Sequence, residues 1–373
     1  MRRLLRRLTG ALLCVLFLAA TPRTALAAGD APTISAKGAI LIEAASGRVL
    51  FEQNADRVLE PASTTKIMTA ILAIEAGDLD RIVTVSERAA KTEGSSLYLK
   101  AGETLPLIEL VYGLMLQSGN DAAVAIAEAV AGSVEDFVSQ MNEKAQSLGL
   151  NDTHFANPNG LHAEGHATTA RELCKIAAYA MQNETFRAVV ATQARTAENG
   201  SVAHTFRNKN KFLSQYEGCN GVKTGYTKAA GKCLVFAANR DGMQLIGVVL
   251  SDPKMWDDAR TLLDYGFRTF ELRRVVSADE VFTVKLEDAE KNALPVAAKQ
   301  DILYPIRSDG SETLSAAKSL PDALSPPIRA GDTVGTVTVS FNGTVLTTAP
   351  LVALESVSRK TFRFYWEKAL ALW

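Results

Sequence analysis

The 373-residue sequence holds only four histidines and four cysteines, and this scarcity removes most metal and redox chemistry at the outset. No Cys-x-x-Cys occurs, so zinc patterns built on that spacing are excluded. His162 and His166 stand four apart, as in a metalloprotease helix. That motif needs its glutamate directly after the first histidine; here Glu164 is displaced and Gly165 interrupts the segment. Asn157-Pro158-Asn159-Gly160 just upstream signals a loop. The expectation is no metal and no cofactor. Cys14 falls in the N-terminal apolar run, and Cys174, Cys219 and Cys233 are odd in number and widely spaced, which is no disulfide framework. Buried free thiols suit them best, with a single Cys219–Cys233 bridge left open.

The sequence also lacks an apolar run of membrane-spanning length. The longest, Leu8 to Ala20, is short, follows Arg2, Arg3, Arg6 and Arg7, and precedes Ala25-Leu26-Ala27. These are the three regions of a secretory signal peptide in their proper order, over residues 1–28. Its removal takes five of the 40 basic residues and none of the 41 acidic ones, leaving a net charge of -6. That balance argues against nucleic acid as a partner.

What remains reads as α+β. Residues 38–51 form two strands about Ala45-Ser46-Gly47. Ile67 to Ile74 is apolar nearly all round and predicts a buried central helix. Residues 106–150 read as mostly helical and 151–168 as loop-rich. Thr169 and Glu172 have capping-box spacing at the head of another helix. Val222-Lys223-Thr224, Lys232 to Ala237 and Gln244 to Leu250 read as adjacent antiparallel strands, followed by a helix from about Asp257 to Phe267. A catalytic domain is expected over 33–273, a small all-β domain over 274–352 and an amphipathic helix over 353–373. In that tail Phe362, Tyr365, Trp366, Ala369, Leu370 and Trp373 share one face and Arg359, Lys360, Arg363, Glu367 and Lys368 the other, which fits a helix lying in a membrane interface.

Chemistry concentrates in three short motifs. Ser63-Thr64-Thr65-Lys66 opens the buried helix, and one turn brings Ser63 and Lys66 side by side. A serine becomes a nucleophile only beside a base. A lysine serves as that base when it is neutral, a state that desolvation and a second cation favour. The helix N-terminus adds backbone N–H groups for a developing oxyanion. Alone the motif is weak: Ser63 could be a helix cap, and Ser251-Asp-Pro-Lys254 and Ser315-Ala-Ala-Lys318 match it too. Those two matches follow the only Lys-Thr-Gly and cannot begin the series. Ser118-Gly119-Asn120 and then Lys223-Thr224-Gly225 come after Ser63 in order, and Ser-x-x-Lys, Ser-x-Asn, Lys-Thr-Gly is the signature of penicillin-recognising serine enzymes.

With Pro61 to Lys66, Leu116 to Ala123, Asn157 to Leu161 and Gly221 to Thr227, the chain resembles the D-alanyl-D-alanine carboxypeptidases among the low-molecular-mass penicillin-binding proteins. The resemblance implies a β-lactamase/DD-peptidase-like catalytic domain, peptidoglycan stem peptides as substrates and β-lactams as inhibitors. It implies Ser63 as nucleophile, Lys66 as base with Lys223 keeping it neutral, and Ser118 as proton relay to the leaving amine. Asn120 would bind the acyl side, and Lys223, Thr224 and Gly225 the terminal carboxylate region. The N–H groups of Ser63 and Tyr226 would form the oxyanion hole. The resemblance also implies a location at the outer face of a bacterial cytoplasmic membrane. Two departures stand out. Many relatives carry an arginine after the strand ending at Leu250, where this chain has Asp252-Pro253-Lys254-Met255-Trp256; Tyr226 stands where some relatives have histidine. A β-lactamase would need a second base for deacylation, and no Glu-x-x-Leu-Asn segment lies between Asn120 and Lys223. A DD-endopeptidase or a penicillin-binding regulator without turnover are the other readings.

Overall fold

The computed structural model describes residues 31–370; the expected leader over 1–28 and the last three residues lie outside them. In chain order the strands of the first part are β1 (Gly38–Glu43), β2 (Val49–Gln53), β3 (Ile82–Thr84), β4 (Thr104–Pro106), β5 (Ala194–Thr196), β6 (Thr205–Arg207), β7 (Cys219–Thr227), β8 (Gly231–Arg240) and β9 (Met243–Leu250). Its helices are α1 (Lys66–Glu75), α2 (Glu87–Ala90), α3 (Leu107–Leu116), α4 (Asn120–Ala131), α5 (Val134–Ser147), α6 (Ala170–Ala180), α7 (Glu184–Ala191), α8 (Phe212–Gln215) and α9 (Met255–Thr269).

β1, β2, β7, β8 and β9 form one antiparallel sheet in the order β2-β1-β9-β8-β7. The first strands thus sit beside the last, and β7 is left at an edge. Residues of β8 and β9 are buried on both faces, and alternate ones feed two cores. Val235, Ala237, Ile246 and Val248 join the helical core around α1, while Leu234, Phe236, Leu245 and Val249 join the core under α9. Such two-sided burial explains their near-continuous apolar runs.

α1 lies in the middle of the helical core, with Ile67, Met68, Ala70, Ile71 and Ala73 at 1% exposure or less. A helix surrounded in this way needs no polar face, as its sequence indicates. α6 starts differently from the expected capping box. The Thr169 hydroxyl accepts from the Glu172 N–H at 3.1 Å, but Glu172 does not return the bond. Its carboxylate turns instead to the N–H groups of Asn151 and Asp152 and the hydroxyl of Thr153. It therefore pins the start of the loop-rich stretch rather than its own helix.

The β-rich part comprises β10 (Phe270–Val276), β11 (Phe282–Leu286), β12 (Ala293–Ala298), β13 (Ile302–Arg307), β14 (Leu314–Ser319), β15 (Ala323–Leu324), β16 (Thr333–Phe341) and β17 (Thr344–Ala353). β10 pairs with β13, and the other six form a sheet ordered β14-β16-β17-β12-β11-β15. Arg48, beside β2, reaches across to this part. Its guanidinium pairs with Glu312, donates to the Pro305 carbonyl, and lies 4.6 Å from the Phe341 ring and 5.1 Å from that of Phe270. α10 (Phe362–Leu370) ends the described chain, with Phe362, Tyr365, Trp366 and Leu370 exposed. No helix among the described residues is long and apolar enough to cross a membrane.

Candidate active site

The chain enters the site through a strained bend. Ala62 has φ 49, in the left-handed region that alanine avoids. A 3-10 turn over Ala62–Thr65 follows, with the Thr64 hydroxyl donating to the Pro61 carbonyl at 2.6 Å. Gly160 lies directly beneath. At its φ of +82, a Cβ would stand 2.0 Å from the Ala62 carbonyl oxygen, so only glycine permits this approach. The turn delivers Ser63 half-buried and sends Lys66 into the core with no exposed surface.

The Lys66 Nζ has three neighbours: Ser63 Oγ at 3.0 Å, Asn120 Oδ1 at 2.7 Å and the Asn159 carbonyl. Two of them are acceptors only. A neutral amine has two hydrogens and one lone pair, so it can donate to both acceptors and still take the Ser63 proton. Its proton affinity is lowered well below that of a free lysine. Burial is the largest cause, followed by the positive charges of Lys223 and Lys209; Asp121 acts in the opposite direction. Lys223, also buried, is lowered to about 7 by burial and then by Lys209. Lys209 is itself lowered by burial. None of the three has an ion-pair partner among the described residues. Whatever charge Lys223 and Lys209 carry is thus not neutralised by a paired carboxylate, and the carboxylate of a ligand would favour their protonated forms.

Ser118 sits in the break between α3 and α4 at φ 65, 5% exposed, and its Oγ has no partner among the described residues. A buried hydroxyl without a partner is costly unless something else fills the role. Asn120 opens α4. Besides bonding Lys66 it donates from Nδ2 to the Glu93 carbonyl at 2.6 Å. Its second amide hydrogen and one lone pair of Oδ1 remain for a ligand, so it holds the base as much as it faces a substrate.

β7 brings Lys223, Thr224, Gly225 and Tyr226 alongside the turn. A Cβ on Gly225 would lie 3.1 Å from the Pro61 carbonyl and from the N–H groups of Ser63 and Thr64, which explains glycine there. Lys223 Nζ donates to the Thr224 carbonyl at 3.0 Å, and the Tyr226 side chain is exposed. Ser63, Lys66, Ser118, Asn120 and the Lys223-to-Tyr226 strand thus converge. The competing Ser-x-x-Lys matches do not: Ser315 and Lys318 fall on β14, and Ser251 and Lys254 fall in the turn after β9. Met255, in the segment where many relatives have arginine, packs into the core under α9, while Lys254 is exposed.

Three contributors escaped the sequence reading. Lys209 is one lysine among many in a loop segment, and nothing local marks it. The Asn159 carbonyl belongs to the Asn157–Leu161 loop, a legible motif whose role was not. His166 is no metal ligand. Its Nδ1 accepts from the Ala156 N–H at 3.0 Å, so the proton sits on Nε2 and is donated to the Thr65 hydroxyl at 2.8 Å. Burial lowers its pKa to about 4, which keeps it neutral. No cluster of metal-ligating groups occurs among the described residues, and Cys174, Cys219 and Cys233 are unpaired.

A serine beside a buried lysine, with an unneutralised lysine pair behind them, defines a serine acyl-transfer site. Residues 25–254 match the family model described as D-alanyl-D-alanine carboxypeptidase, and residues 270–359 that described as penicillin-binding protein 5, C-terminal domain. The chain is 34% identical to the D-alanyl-D-alanine carboxypeptidase DacF of Bacillus subtilis, over 99% of each. It is 41% identical to a D-alanyl-D-alanine carboxypeptidase of a Streptomyces species, over 69% of this chain and 95% of that one. Among solved structures, penicillin binding protein 5 from Haemophilus influenzae matches with a TM-score of 0.72 at 28% identity, over 91% of this chain and 100% of that one. The Streptomyces K15 DD-transpeptidase matches at 0.60 and 39% identity, over 64% and 98%. The chain belongs to the D-alanyl-D-alanine carboxypeptidase family.

Proposed function

We propose that this protein is a serine-type D-Ala-D-Ala carboxypeptidase that removes the terminal D-alanine from peptidoglycan stem pentapeptides through an acyl-enzyme on Ser63. The observation that carries this reading is the Ser63–Lys66 contact of 3.0 Å, made to a lysine whose proton affinity is depressed by burial and by Lys223 and Lys209. Lys66 takes the Ser63 proton as Oγ attacks the carbonyl of the penultimate D-alanine. The N–H groups of Ser63 and Tyr226 receive the oxyanion. Ser118, its hydroxyl unengaged, passes a proton to the leaving amine. Lys223 and Thr224 hold the terminal carboxylate, a role suited to a lysine with no carboxylate partner among the described residues. Water then cleaves the ester with Lys66 again as base. β-Lactams, which present a strained amide and a carboxylate, acylate the same serine. Transfer of the acyl group to an amine instead of water is a second reading, favoured by the likeness to a protein called a DD-transpeptidase.

The leader-like residues 1–28 support export, and the exposed aromatics of α10 support peripheral attachment at the outer face of the cytoplasmic membrane. Purified protein should release D-alanine from a D-Ala-D-Ala-terminated peptide and take up labelled penicillin, and Ser63→Ala should lose both. Labelling of wild type without release of D-alanine would overturn the carboxypeptidase reading. Deletion of residues 353–373 should free the protein from membranes in a sedimentation assay; persistence in the membrane fraction would refute the tail as anchor.

A further inference from the structure

The segment that leads into β1 is tied to the head of α9 by a cluster that is short of one hydrogen. Asp252, in the turn after β9, is fully buried, and Asp258, in the first turn of α9, is 7% exposed. Both carboxylates reach the same hydroxyl. Ser35 Oγ stands 2.7 Å from Asp258 Oδ2 and 3.0 Å from Asp252 Oδ1. A serine hydroxyl has a single hydrogen and serves only one of them. The other donors are backbone groups: the Ser35 N–H to Asp258 Oδ2 at 2.5 Å and the Lys254 N–H to Asp252 Oδ1 at 2.8 Å. Asp252 Oδ2 is buried with no partner among the described residues.

Charge sharpens the shortage. Neither carboxylate has an ion-pair partner among the described residues. The Asp252 N–H donates to the Lys232 carbonyl on β8, but Lys232 turns its Nζ to the Pro253 carbonyl at 3.2 Å. Lys37 and Lys254, beside Ser35 and Asp252 in the chain, are exposed. Cys233, buried on β8, brings no cation. Its thiol is pushed up to about 11, by burial first, with Asp252 and Glu60 adding. Two buried like charges resist ionising together, so one proton is held back. The Asp252 carboxyl is accordingly raised to about 6, by burial first, with Asp258 adding. That proton belongs to the pair rather than to one residue. It supplies the missing hydrogen and removes one of the two like charges.

We propose that Asp252, Asp258 and Ser35 form a shared-proton latch, which fastens the segment before β1 to the head of α9 while the pair holds its proton and loosens when the proton leaves. The latch is independent of the carboxypeptidase reading and stands or falls apart from it. A carboxyl that holds its proton more tightly in the folded chain contributes stability that is complete in acid. That contribution is lost as the pH rises from about 4 through about 6.

The test is a pH titration of the purified protein labelled with ¹³C at the aspartate carboxyls, with melting temperatures taken at about pH 4.5 and about pH 8, either side of that window. In wild type one aspartate carboxyl should titrate near pH 6. Asp252→Asn keeps a donor at the same place without the charge. It should abolish that titration, melt with wild type in acid, and melt several degrees above wild type in alkali. The Ser35 amide should then exchange its hydrogen more slowly in Asp252→Asn than in wild type at the alkaline pH. Ser35→Ala removes a hydrogen bond that favours the charged form, so the titration should move upward; an unmoved titration overturns the place of Ser35 in the latch. Wild type with no aspartate titrating near pH 6, or Asp252→Asn losing melting temperature with pH as steeply as wild type, overturns the latch itself.

Discussion

Lys66 can act as a base only to the extent that its neighbours keep it neutral, and two of those neighbours are lysines. Removing Lys209 takes away one of the charges that depress Lys66. With Lys209→Ala the proton affinity of Lys66 rises, a larger share is protonated at neutral pH, and fewer molecules can accept the Ser63 proton. Penicillin acylation should then slow at pH 7 and recover at alkaline pH, its ascending limb moved upward in a stopped-flow pH profile. An unmoved limb would show that Lys209 is electrostatically silent. Lys66→Ala, by contrast, should lose roughly 10²–10⁴-fold at every pH, the usual size of a general-base contribution. That Ser63, Lys66 and Lys223 come together was legible, Ser63 and Lys66 because one helical turn joins them and Lys223 because its motif follows in order. Lys209 was not, because its influence passes through space from a segment with no motif. Asn120 was legible as a site residue, yet only the structure shows that most of its amide is engaged by Lys66 and Glu93.

The elements were legible where periodicity is strong. The all-apolar run of α1, the three strands β7 to β9 and the helices from 107 to 147 lie close to their expected bounds, because burial on one or two faces imposes a repeat. What a repeat cannot reveal is which loops close on which turns. Glu172 has capping-box spacing but spends its carboxylate on a neighbouring loop, since three donors are presented there. Gly160 carries the same lesson with a larger consequence. Gly160→Ala would set a Cβ at 2.0 Å from the Ala62 carbonyl, at a φ of +82. The 157–161 loop must then move away and withdraw the Asn159 carbonyl from Lys66. Penicillin labelling should fall steeply, and thermal stability should drop by about 1–3 kcal/mol, as for overpacking with backbone strain. Labelling at the wild-type rate would show that the loop yields without disturbing the serine.

At the scale of the whole molecule Arg48 is one of the ties between the two parts. Its guanidinium is largely desolvated, paired with Glu312 and enclosed by Phe270, Tyr304 and Phe341. Breaking one side of a buried ion pair costs about 3–5 kcal/mol. Arg48→Ala should therefore loosen the β-rich part and expose the chain near residues 269–277 to limited proteolysis, while D-alanine release from a small soluble peptide persists. Protease resistance equal to wild type would show that other contacts suffice. Nothing in the sequence marked Arg48, since these partners and Pro305 all lie more than 200 positions further along the chain.

The same cage fixes one end of a ruler. Phe341 closes β16 beside Arg48, and β17 then runs ten residues away from that point before the chain leaves for α10. At ~3.3 Å per residue the strand is about 30 Å long. If α10 rests on a membrane as proposed above, β17 would act as a spacer, and the wall strands within reach of the serine would be chosen by height as well as by chemistry.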